Sequence, residues 1–137
     1  MQILLVEDDG TLANLFRVQL QHLGDHTLIT TATQEAAMTA FRNETFDLIF
    51  VDMGLEGYKD RGLQILAEIK ALAPQQRIGI LSSNDSRDMV RLSQQYGAEF
   101  YMVKPFTSDG VALILRGDKD AIRDHFPEIG EGRIIAF

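Results

Sequence analysis

The run Phe46-Asp47-Leu48-Ile49-Phe50-Val51-Asp52 constrains this chain more than any other stretch. It is apolar, lacks helical spacing, ends in a carboxylate, and is followed by Met53-Gly54 and then Gly57. A short apolar run bounded by turn residues reads as a strand buried on both faces, as in a parallel sheet. Such a strand delivers its last side chain to the rim, where open α/β sheets bind ligands outside the carboxyl ends of their strands. Three other runs end in the same way: Ile3-Leu4-Leu5-Val6 before Glu7-Asp8-Asp9, Ile78-Gly79-Ile80-Leu81 before Ser82-Ser83, and Phe100-Tyr101-Met102-Val103 before Lys104-Pro105. Four strands therefore bring polar chemistry to one rim.

Helical patterns separate these strands. After the first strand Asp9 can cap a helix, in which Leu12, Leu15, Phe16, Leu20 and Leu23 recur at helical spacing before Gly24. A second strand over 26–31 precedes a helix opened by Thr33, with Ala36, Ala37, Ala40 and Phe41 as its inward face. Leu63, Leu66, Ile69 and Leu72 mark a third helix closed off by Pro74. A strand over 77–82 follows, then a helix from Asp85 or Ser86 to Tyr96, then a strand over 99–103. Strands and helices thus alternate five times, which predicts a five-stranded parallel sheet with helices on both faces, joined by right-handed crossovers. In the tail, residues 108–116 read as a helix weakened by Gly110 and Gly117. Residues 120–126 read as a further helical turn or two stopped by Pro127, and 133–137 as a short extra strand or a packed end.

A chain of 137 residues is expected to form one domain. Its net charge of -7 and the lack of a basic run weigh against direct contact with nucleic acid, whose binding rests on lysines and arginines at phosphates. Without cysteine, neither a disulfide framework nor a thiolate zinc site can form. The first residues enter a strand rather than a signal peptide, and no apolar run is long enough to span a bilayer. The expected address is the cytoplasm.

An acidic cluster after the first strand, an aspartate ending the third, a hydroxyl after the fourth and a Lys-Pro after the fifth together resemble the receiver domain of bacterial two-component response regulators. The resemblance covers residues 1–106, the receiver core, and leaves 107–137 as an atypical fifth helix and tail of the same domain. It implies a flavodoxin-like doubly wound sheet of strand order 2-1-3-4-5. It also implies a chemistry that suits these residues. Carboxylates brought together repel unless a cation neutralises them, and a hard ion such as Mg²⁺ accepts carboxylates, waters and phosphate as ligands. On this resemblance Asp8, Asp52 and the Gly54 carbonyl bind Mg²⁺ (or Mn²⁺), with Glu7 acting through water.

Asp52 is then the phosphoacceptor, fed by a histidine kinase or a phosphotransfer protein, and Lys104 and Ser82 stabilise the transferring group. The Lys104-Pro105 bond is expected to be cis. Ser82 and Tyr101 are the implied switch pair, with Tyr101 turning inward after phosphorylation. The responding surface would be the fourth helix, fifth strand and fifth helix, where Met89, Val90 and Leu92 suggest a patch facing a downstream protein partner. Homodimer formation is left open, no membrane contact is expected, and catalysis is limited to slow self-dephosphorylation.

The chain departs from the family pattern after Asp52. Glu56 stands where a proline is usual, and Gly62 falls ten positions after Asp52 instead of eight, so the loop carrying Tyr58-Lys59-Asp60 is longer by two. An extra carboxylate beside the site is expected to affect metal affinity or partner choice. Ser83 replaces a usual alanine or glycine, and Asn84 occupies a place that tunes phosphate lifetime. Two other functions remain open on sequence. One is a degenerate receiver serving only as an interaction module. The other is an aspartate-nucleophile phosphatase of the haloacid dehalogenase type, although Gly54 stands where its second aspartate would be.

Overall fold

The computed structural model describes residues 1–83, 86–125 and 133–137, with the backbone alone for 124 and 125. In chain order the elements are β1 (Gln2–Val6), α1 (Gly10–Leu23), β2 (Thr27–Thr31), α2 (Gln34–Asn43) and β3 (Leu48–Asp52). A single 3₁₀ turn, Leu55–Gly57, leads to α3 (Arg61–Leu72), β4 (Ile78–Ser82), α4 (Arg87–Gln95) and β5 (Phe100–Val103). The tail contributes α5 (Ser108–Arg116), α6 (Lys119–His125) and β6 (Ile134–Ala136). Asn84, Asp85 as a helix start and Pro127 as a helix stop lie outside the described residues.

The strands form one sheet in the order β2-β1-β3-β4-β5-β6. The first five are parallel in the implied order 2-1-3-4-5. Beyond these five, residues 133–137 supply the short extra strand they allowed: β6 pairs antiparallel with β5, making six strands in all and setting Tyr101 opposite Ile135. An edge strand leaves a row of unpaired backbone groups, and here the tail takes them up. Val103 N–H donates to Arg133 at 2.8 Å, and Phe137 N–H to Glu99 at 2.9 Å.

Alternation along β3 explains why all its residues are buried. Ile49 and Val51 face the core beneath α2, α3 and α4, while Leu48 and Phe50 face the core beneath α1, α5 and α6. On the second face Phe16 meets Phe50 edge-on with centroids 4.8 Å apart, and Phe106 at 5.4 Å.

Helix starts follow the expected chemistry. Asp9 accepts from Thr11 N–H at 2.9 Å, and Thr33 from Ala36 N–H at 3.1 Å. Helix faces follow it less closely. Each helix covers one side of a sheet, so only a limited arc turns inward. Leu15 is 42% exposed and Leu72 60%; on α2 Ala36 is exposed, and Met38, absent from the expected face, is buried instead. Met89, Val90 and Leu92 pack partly buried against the core, and Met89 and Leu92 also line an open cleft with Leu63, Ala67 and Tyr96.

Gly62 sets how closely α3 approaches the end of β3. Its N–H donates to Met53 at 2.9 Å, and a Cβ added there would stand 2.5 Å from the Asp52 carbonyl oxygen and 2.7 Å from Met53 Cα. Because both neighbours are backbone, they cannot rotate away. Gly62→Ala is therefore expected to cost about 1–3 kcal/mol of stability, the usual range for overpacking. Urea unfolding of the variant against wild type measures this, and an unchanged midpoint contradicts the close approach.

Candidate functional site

β1 and β3 are adjacent and parallel, with Val6 beside Val51, so the residues ending them meet at one rim. Glu7 and Asp52 are buried there, 4% and 7% exposed, while Asp8 is exposed. One carboxylate oxygen each from Glu7, Asp8 and Asp52 lies within 4.8 Å of the others. Lys104 reaches in from the end of β5, its Nζ 3.1 Å from Asp52 Oδ1 and 2.5 Å from Glu7 Oε1. The Lys104-Pro105 bond is cis, and Lys104 N–H donates to the Ser82 carbonyl at 2.7 Å. Ser82, Ser83, Gly54 and Lys59 help line the open cleft of about 370 Å³ above these groups.

Charge repulsion and burial act on this cluster together. Burial is the largest cause pushing the Glu7 carboxyl up to about 7, with the Asp52 charge adding to it, while the Lys104 hydrogen bond opposes both. For Lys104, burial pulls the ammonium down. The Glu7 hydrogen bond and the charges of Asp52 and Glu7 outweigh that pull and hold Lys104 above its ordinary value. One ammonium thus faces an excess of acid.

That donor set fits a hard divalent ion. Mg²⁺ lies about 2.1 Å from its oxygen ligands, so two of them on one ion stand roughly 3–4 Å apart. Oxygens within 4.8 Å need only small rotations to converge. The Gly54 carbonyl accepts the Gly57 N–H at 3.2 Å and retains a second lone pair. Ser82 is buried at 4%, and Tyr101 is wholly buried in the core beneath α4.

Sequence reasoning missed two contributions from the lengthened loop. Lys59 lines the cleft, and the Glu56 N–H donates to Asp8 Oδ2 at 2.9 Å. The Glu56 carboxylate, expected beside the site, is instead 3.2 Å from Arg61 and 3.4 Å from the Gln34 amide nitrogen. The sequence signals were the two-residue lengthening and Glu56 in the place of a usual proline.

The Glu7 shift has a measurable sign. Without metal the folded protein holds this proton more tightly than the unfolded chain does, so the group's stabilising contribution is full below about pH 4.5. It is lost as pH rises through about 7. In chelator, the urea midpoint of wild type is expected to fall between pH 5 and pH 8 relative to Glu7→Gln. A difference that stays constant with pH contradicts the shift.

Comparison with known proteins agrees with this geometry. The family model described as the response regulator receiver domain matches residues 3–116. The alginate biosynthesis transcriptional regulatory protein AlgB of Pseudomonas aeruginosa is 32% identical over 112 residues, covering 82% of this chain and 24% of the relative. The probable C4-dicarboxylate response regulator DctR of Halalkalibacterium halodurans is 30% identical, covering 90% of this chain and 53% of the relative. The chain thus spans between about a quarter and about half the length of these two relatives. Among solved structures, a CheY-like receiver domain protein from Methanospirillum hungatei has a TM-score of 0.77 at 22% identity, covering 90% of this chain and 97% of that one, which shows the fold. The BeF3-activated DrrB receiver domain has a TM-score of 0.73 at 25% identity, covering 84% and 93%. Among the described residues no helix is long and apolar enough to cross a membrane. With a matching profile over most of its length, a shared sheet order and an acidic rim faced by one lysine, the chain belongs to the receiver domains of two-component response regulators.

Proposed function

We propose that this receiver is switched by phosphorylation of Asp52, with a histidine kinase or a phosphotransfer protein as donor. The contact between Lys104 Nζ and Asp52 Oδ1 at 3.1 Å, on a rim shared with Glu7 and Asp8, carries the reading. Asp8, Asp52 and the Gly54 carbonyl would hold Mg²⁺ (or Mn²⁺), and Glu7 would assist through water. When bound, the ion supplies positive charge to the oxygens of the transferring group.

From a phosphohistidine donor, an Asp52 oxygen attacks phosphorus as the phosphorus–nitrogen bond breaks, and the imidazole leaves with the electron pair. Negative charge spreads over the equatorial oxygens in the transition state. Lys104 turns its ammonium to one of them, and the Ser82 hydroxyl with nearby amides meets another. The product is an aspartyl phosphate that hydrolyses slowly. No further catalytic turnover belongs to the reading, since Gly54 stands where an aspartate-based phosphatase needs its second acid.

Ser82 moving toward the phosphoryl group would couple the site to Tyr101. That ring is wholly buried here, so phosphorylation favours an inward position already sampled, through its own differential contacts. The responding surface comprises α4, β5 and α5 and acts on a downstream protein. Pairing of β6 along β5 supports treating the core 1–106 and the tail 107–137 as one domain. It also means that a second copy adding to this edge would meet β6. A net charge of -7 supports protein, not nucleic acid, as the direct partner.

Intact-mass measurement after treatment with acetyl phosphate and Mg²⁺ tests the proposal. Wild type is expected to gain one phosphoryl group, with none gained by Asp52→Ala or in excess chelator. No adduct on wild type, or an adduct kept by Asp52→Ala, defeats it.

A further inference from the structure

The loop after Asp52 is where this chain departs from the receiver spacing, and there a backbone amide reaches the acidic cluster. Glu56 adopts φ +58 and ψ 24, the left-handed region that residues other than glycine seldom occupy. A side chain stays in such a conformation only when its surroundings over-determine it. They do so here from three directions. The Glu56 N–H donates to Asp8 Oδ2 at 2.9 Å. Its carboxylate lies 3.2 Å from the Arg61 guanidinium and accepts the Gln34 N–H at 3.4 Å. Arg61 also donates to Gln34 Oε1 at 2.9 Å and lies over the Tyr58 ring, 3.9 Å from its centroid.

These contacts separate the two polar ends of Glu56. Its amide, a neutral donor, points at the acid cluster; its carboxylate, which would add to the repulsion among Glu7, Asp8 and Asp52, is drawn toward Arg61. A proline at this place could do neither, having no N–H and a φ fixed near −65°. The bond to Asp8 does not compete with a cation, because an ionised carboxylate offers about four lone-pair sites on its two oxygens.

We infer that Glu56 is a positioning residue for a divalent cation site: its amide sets the rotation of the Asp8 carboxylate, and Arg61 with Gln34 holds the Glu56 side chain in the left-handed conformation that presents the amide and that glycine adopts unaided. The inference rests on the metal-assisted phosphoacceptor reading and names a device within that site. A hydrogen bond to a charged acceptor contributes more than one between neutral groups, so losing it should weaken Mg²⁺ binding about tenfold.

Calorimetric titration of Mg²⁺ into metal-free wild type, Glu56→Gly and Glu56→Pro separates amide from side chain. Glycine keeps the N–H and tolerates the left-handed backbone, so Glu56→Gly is expected to bind Mg²⁺ within about twofold of wild type. Glu56→Pro is expected to bind about tenfold more weakly. Equal affinity of Glu56→Pro and wild type, or an equal loss in both variants, overturns the inference while leaving the phosphoacceptor reading intact. Absence of Mg²⁺ binding by wild type overturns both. Should Glu56→Pro fail to fold, amide exchange decides. A Glu56 N–H protected in wild type and fast in Asp8→Ala supports the assignment, and equal exchange in the two overturns it.

Discussion

The arrangement depends on one unequal charge balance at the end of the sheet. Glu7 and Asp52 are nearly buried, and Lys104 is the cation that bridges them. Burial of an acid next to another acid costs free energy, visible in the raised Glu7 carboxyl. Lys104 offsets part of that cost and keeps its own charge by doing so. What remains is a net negative site open to solvent through a cleft, which suits the entry of a cation.

Such a balance is achievable because parallel strands end together. β1, β3 and β4 are held in register by apolar residues buried on both faces, so the rim inherits the rigidity of the core below it. Gly62 extends this logic to the neighbouring helix, whose backbone packs against Asp52 with no room for a side chain. A site built on strand ends is defined by the least mobile part of the molecule.

The opposite concern is the edge of the sheet. In a five-stranded arrangement β5 would expose its outer backbone, and in this chain β6 covers it. Arg77, at the start of β4, reinforces the same region. Its guanidinium forks onto Glu99 at 3.0 Å and donates to the Ile114 carbonyl at 2.8 Å, binding the base of β5 to the end of α5. The tail is therefore integrated with β5, which carries Tyr101 and ends beside Lys104.

Much of this was legible in the chain because it rests on short-range regularities. Apolar runs ending in Glu7, Asp52, Ser82 and Lys104 specify buried parallel strands and name the residues at their ends. Capping by Asp9 and Thr33 is equally local. Spacing alone could not say which flank of a helix meets the sheet: Leu15 and Leu72 share the period of true core residues yet face solvent. It could not decide whether residues 133–137 pair or merely pack, since pairing needs an open partner edge that only the assembled sheet supplies. Nor could it foresee that Glu56 would offer its amide rather than its carboxylate to the acids, because that depends on a left-handed backbone and on Arg61 and Gln34 brought near by folding. Sequence by itself determined five parallel strands and the polar residues that end them at one rim, consequences of local periodicity, while the strand order followed from the family resemblance. Tertiary structure alone decided how those charges are shared and how the lengthened loop and tail are used, because these follow from contacts between segments distant in the chain.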